Sequence, residues 1–185
     1  MNGRRETLVA LGALAIAPAS LRAQPELAPK PALMANQTTA PILSGQAALR
    51  ILGLRIYDAR LWVSAGSSRD IFEREFFLEL RYAVSAKGAR IASVSAEEMA
   101  AIGQANEAQR RAWGEAMRVL FPDVGAGDRL LGAYAPRGAT RFFYNDEPLG
   151  RIDDPDFGRA FFGIWLDPRT SEPSLREGLL RGFNR

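Results

Sequence analysis

The stretch Asp153-Asp-Pro-Asp-Phe-Gly-Arg-Ala-Phe-Phe-Gly-Ile-Trp-Leu-Asp-Pro-Arg-Thr-Ser-Glu-Pro-Ser-Leu-Arg-Glu-Gly-Leu-Leu180 reads as two consecutive helices. Asp154 is a good N-cap, and Pro155 suits the first helical position because its missing N–H would be unpaired there. Phe157, Phe161, Ile164 and Trp165 recur at i, i+4, i+7 and i+8, which predicts one buried apolar face ending at Asp167-Pro168. Thr170 or Ser171 can cap a second helix with Pro173 near its start. Leu175, Leu179 and Leu180 form its stripe, and Gly182 is expected as a left-handed C-terminal residue.

Working outward, Trp113, Met117, Leu120 and Phe121 make a similar helical stripe that stops at Pro122-Asp123. Ser95-Ala-Glu-Glu98 carries a capping-box pattern and predicts a helix start at Ser95. Before these helices, Phe76 to Val84 alternates apolar with polar residues, which predicts a strand with one buried face. Two β-branched and aromatic segments between Ala47 and Val63 flank Gly53 and predict consecutive strands or one strand bent at that glycine. Leu130 to Ala135, Thr140 to Tyr144 and Leu149 to Ile152 continue as a meander through turns at Pro136-Arg-Gly138 and Asn145-Asp146. Strands precede, interrupt and follow helices without βαβ alternation, so the fold class is α+β.

The 185 residues suit one globular domain, with 47% apolar and 24% charged residues. Arg4-Arg5, an apolar run from Leu8 to Ala17 and small residues after it follow the order of a signal peptide over residues 1–23. The run is shorter than the roughly 20 residues of a spanning helix, so no stable membrane span is expected after cleavage. A periplasmic or secreted address follows. Residues 24–42, rich in proline and polar side chains, are expected as a flexible segment before a domain at residues 43–185.

Arg4, Arg5 and Arg22 against Glu6 carry a net +2 of the formal +3, which leaves about +1 for the mature chain. Lys30 and Lys87 are the only lysines among 24 basic residues, but the arginines alternate with acids and form no run. With no zinc, helix-turn-helix or aromatic RNA-binding signature either, nucleic acid is not an expected partner. The sequence has no cysteine, so no disulfide framework or thiol chemistry is available.

It has no histidine either, which removes the commonest general base and zinc ligand. No phosphate-binding glycine loop follows a strand, and Gly125-Ala-Gly127-Asp128 reads as a turn. Asp153, Asp154 and Asp156 are better explained by helix capping than by a cation, so no metal site and no cofactor are expected. There remain many aromatic side chains with scattered Tyr and Arg. Such a set is usually core, and it can also line a lipophilic pocket in which a few polar groups orient a carboxylate or carbonyl.

Together with the closing helix pair, Leu54-Arg-Ile-Tyr-Asp-Ala-Arg-Leu-Trp-Val63, Leu78-Glu-Leu-Arg-Tyr82 and Phe121-Pro-Asp-Val-Gly-Ala-Gly-Asp128 give a pattern that resembles bacterial chalcone isomerase-like proteins over about residues 43–182. The resemblance implies an open-faced β-sandwich, an antiparallel sheet with helices packed on one face. Plant enzymes of the family use an arginine on an early strand to stabilise an enolate-like oxygen, with Thr, Tyr, Lys and Asn completing the polar face. An ungapped comparison anchored on Ile56-Tyr57-Asp58-Ala59 puts Gly45 at the arginine position and Tyr57 at the threonine. No Tyr-x-x-Lys segment occurs around Ser93 to Gly103.

The expectation is therefore an exported, non-catalytic binder of a lipophilic small molecule such as a fatty acid. Its candidate polar contacts are Arg50, Arg55, Tyr57 and Tyr82, with Trp62 and Trp165 as apolar walls. Strand alternation puts Arg50 and Arg55 on one face, opposite Ile51 and Ile56. The rival is an isomerase or intramolecular lyase acting on an unsaturated carbonyl compound, with Arg50 or Arg55 as oxyanion stabiliser and Tyr57 as proton donor. A third reading, haem binding, is implied by haem-binding relatives of the fold and would require Tyr or Met on the iron.

Overall fold

The computed structural model describes Met34 and residues 40–183. The signal-peptide assignment of residues 1–23, and all of 24–39 apart from Met34, lie outside the described residues. Strands β1 (Ile42–Ile51), β2 (Leu54–Val63) and β3 (Phe76–Tyr82) are followed by helices α1 (Gly88–Ile102) and α2 (Glu107–Leu120). Strands β4 (Arg129–Tyr134), β5 (Thr140–Tyr144) and β6 (Glu147–Ile152) come next, then α3 (Phe157–Leu166) and α4 (Pro173–Leu180). The strands form one antiparallel sheet in sequence order, β1-β2-β3-β4-β5-β6. The fold class is the predicted α+β sheet with helices on one face.

Turn chemistry explains most of this path. Leu52 and Gly53 both have positive φ, 50° and 83°, as a two-residue hairpin turn matching the strand twist requires. Asn145 and Asp146, at 48° and 75°, make the same turn between β5 and β6. The helix pair α1–α2 leaves the sheet between β3 and β4, yet those strands still pair, because a bridge between Ala86 and Val124 closes the excursion.

Several helix ends differ from the sequence expectation. Helix α1 begins at Gly88, not Ser95, because Asp123 accepts a hydrogen bond from the Gly88 N–H at 3.0 Å and so supplies a cap from the far end of the helix pair. Ser95 is buried mid-helix and donates back to the Ile91 carbonyl at 2.9 Å. The capping box belongs to α2, where Asn106 and Gln109 satisfy each other's backbone donors.

Helix α3 starts at Phe157, one turn after the expected cap. Asp154 accepts from the Asp156 N–H at 3.0 Å and from the Trp113 indole N–H at 2.9 Å, which ties α2 to this corner. Pro173 is the first residue of α4, as expected, and Thr170 accepts from the Glu172 N–H at 3.2 Å. Gly182 is a site of close approach, not a left-handed cap: its N–H donates to the Ser44 carbonyl at 2.7 Å, and a Cβ there would stand 2.6 Å from that oxygen.

The main core lies between the sheet and the helices. Leu61, Phe76, Leu78, Leu80 and Tyr134 meet Met99, Trp113, Met117, Phe161, Phe162 and Leu179 there. Contrary to the one-faced expectation for β3, the opposite face of the sheet is also buried around Trp62, Phe77, Leu131 and Ala133, with Met34 packed against them. That face holds Glu79, 2% exposed, with Arg60 and Arg129 at 3.6 and 3.7 Å. Burial raises the Glu79 pKa and the two guanidinium groups oppose the rise.

Candidate ligand-binding site

A cavity of about 390 Å³ opens between sheet and helices, within the range of small-molecule sites. Leu78, Leu80 and Leu130 line it from the sheet, Ile91 from α1, and Phe161 and Ile164 from α3. These residues share one wall system because Ala59↔Leu80, Leu61↔Leu78, Leu78↔Gly132 and Leu80↔Leu130 are cross-strand neighbours pointing to the helical side. The lining residues Ile51, Arg90, Val94, Ser171 and Glu172 are exposed and mark the opening.

Two glycines let the last helix close the space. A Cβ on Gly45 of β1 would lie 2.1 Å from the Gly178 carbonyl oxygen, and one on Gly178 would lie 2.8 Å from the Ala47 Cβ. Backbone of α4 therefore rests directly on β1. Ser44 reinforces the contact by donating to the Leu179 carbonyl at 2.9 Å.

The polar groups inside are few. Tyr57 and Tyr82 are paired across β2 and β3, with ring centroids 5.9 Å apart edge to face. The Trp165 indole N–H donates to the Tyr57 oxygen at 3.0 Å, which leaves the Tyr57 proton free to donate elsewhere. The Tyr82 hydroxyl has no hydrogen-bond partner among the described residues. Burial pushes the Tyr57 hydroxyl up to about 12; the Trp165 bond lowers it, while Glu172 and Glu98 raise it. Burial, then the neighbouring Tyr57, also raises Tyr82. Both phenols thus stay protonated donors at neutral pH.

Of the residues expected at the site, Tyr57, Tyr82 and Trp165 line the cavity, and Arg50, Arg55 and Trp62 do not. Arg50 and Arg55 are register partners at the neck of the β1–β2 hairpin. Arg50 donates to the Gly53 carbonyl at 3.3 Å, and Arg55 forks onto Asp58. Trp62 is five residues from Tyr57 on the same strand, so it faces the opposite side of the sheet, where it packs with Phe77 and Leu131. Sequence reasoning missed Glu98, Glu172 and Arg90, which come from α1 and the α3–α4 connection and meet only when the helices pack.

An antiparallel sheet carrying its helices on one side, with a lipophilic hollow between the layers, defines the class of this protein as an open-faced β-sandwich. The model of the chalcone isomerase-like family matches residues 43–181, and the chain belongs to that family. Over 125 residues the chain is 28% identical to an uncharacterised protein of Haemophilus influenzae; the match covers 68% of this chain and 60% of that protein's length. The crystal structure of an Arabidopsis thaliana fatty-acid binding protein has the same fold, with a TM-score of 0.58 and 10% identity over 76% of this chain and 86% of that one.

Proposed function

We propose that this protein is an exported, non-catalytic binder of a lipophilic small molecule held between sheet and helices. The observation that carries this is the cavity itself: apolar walls from sheet and helices, with two protonated phenols as its buried polar anchors. The fatty-acid binding protein that shares the fold supports a lipophilic ligand, without fixing its polar end. Native mass spectrometry of gently purified protein is expected to show a co-purifying lipid-sized adduct. An adduct-free chain that also refuses added C16 lipids would overturn the proposal. Export predicts that the protein, expressed from the full-length sequence, is recovered outside the cytoplasm and shortened after Ala19 or Ala23; recovery at full length in the cytoplasm would contradict it.

The geometry gives the rival readings less. Arg50 and Arg55, the candidate oxyanion stabilisers, are exposed residues outside the cavity lining, and Arg55 is engaged by Asp58, which favours the binder over the enzyme reading. For haem, Met99 and Met117 are core residues outside the lining, which leaves Tyr57 and Tyr82 as the candidate ligands there, and the Tyr57 oxygen already accepts from the Trp165 N–H.

A further inference from the structure

We propose that the cavity selects lipophiles whose polar end is an uncharged hydrogen-bond acceptor, such as an ester, ketone or alcohol, over free carboxylates. This rests on the binder reading above and names the ligand class of the same site.

The charges around the cavity have the wrong sign for an anion. Among the described residues the lining contains one cation, Arg90, whose side chain is 67% exposed and lies 3.6 Å from Glu97. It contains two carboxylates, Glu98 and Glu172, and no described cation lies within ion-pairing distance of either. Among the described residues Glu98 takes a hydrogen bond only from the neutral Ser171 hydroxyl, at 2.8 Å. At Gly45 no cationic side chain can enter, because the backbone of α4 occupies the space a Cβ would need.

The donors, in contrast, fit a neutral acceptor. The Tyr57 proton is free because its oxygen already accepts from Trp165, and the Tyr82 hydroxyl is free among the described residues. Two uncharged O–H groups can satisfy a carbonyl or hydroxyl oxygen without neutralising a full charge. The Tyr57 oxygen also reports on the local field. Burial, Glu172 and Glu98 all resist negative charge on it, and they would resist a ligand carboxylate beside it in the same way.

The test uses the full chain and three C16 ligands of matched length: hexadecanoic acid, its methyl ester and hexadecan-1-ol. Each displaces a neutral fluorescent lipid probe at pH 8, below its aggregation threshold. The ester and the alcohol are expected to act at concentrations about tenfold or more below the acid. The Glu98→Gln/Glu172→Gln double variant, checked for an unchanged melting transition, is expected to narrow that ratio severalfold. Acid binding as tight as the ester, or a ratio unmoved by the double variant, overturns the inference while leaving a binder. If the probe and all three ligands fail to bind, the binder reading falls and this inference with it.

Discussion

Gly45 shows how one residue decides both packing and chemistry. Its missing side chain lets α4 lie on β1, and the same close approach removes any group that could project from that position into the site. Gly45→Ala is expected to cost about 1–3 kcal/mol in urea unfolding, since the new methyl meets backbone and not a flexible side chain. An unchanged midpoint would show that α4 does not rest there. Asp167 is the matching polar case. It accepts from the Gln104 side chain at 2.5 Å and from the Arg169 N–H and guanidinium at 2.8–3.0 Å, which locks the α3–α4 connection over the opening. Chiefly because of Arg169, its carboxyl titrates at about 2. A depressed pKa gives stability that is complete above the unfolded value near 4 and is lost as the pH falls towards 2, worth about 1–2 kcal/mol. Asp167→Asn should flatten that part of the acid-unfolding curve; an acid limb identical to wild type would refute the contact.

Among the elements, the β1–β2 hairpin and α1 depart most from local rules. Leu52 adopts φ of 50° with its side chain fully exposed, in a turn that prefers Asn-Gly. Leu52→Asn is expected to stabilise the protein by about 1 kcal/mol, read as a higher unfolding midpoint, because strain is relieved and no packing is lost. Ser95→Ala tests where α1 begins. A mid-helix serine bonded to Ile91 should change stability by less than about 0.5 kcal/mol, whereas a true cap would cost about 1 kcal/mol. Asp123→Ala, which removes the actual cap, is expected to destabilise.

These elements also show what the sequence could and could not carry. The strands around Gly53, the meander after Leu130 and the closing helix pair were legible because their turns and periodicities are local. The start of α1 was not, because its cap comes from Asp123, 35 residues away, while Ser95-x-x-Glu98 imitates a cap inside the helix. At the site, Tyr57 and Tyr82 are register partners on the cavity side, and strand parity, which is legible in the sequence, puts Trp62 behind the sheet, so the choice of Trp62 as a wall overlooked a signal that was there. Glu98 and Glu172 carried no signal for the site, since nothing local tells a carboxylate inside α1 and one just before α4 that they will flank one opening.

At the scale of the whole molecule, both faces of the sheet are buried but they do different work. Behind the sheet, Trp62, Phe77, Leu131, Ala133 and Met34 pack together beside the Glu79 ion group. On the helical side, the rings of Phe76, Tyr134 and Phe162 pack at 4.6–5.8 Å, and beside them the layers part to leave the hollow. Among the described residues no helix is long and apolar enough to cross a membrane. The most direct check on the hollow is a set of intermolecular NOEs from the chain of a bound C16 methyl ester to assigned protein methyls. The account predicts contacts to Leu80, Ile91 and Ile164 and none to Ala133; contacts to Ala133 without the first three, or none at all with saturating ester, would contradict it.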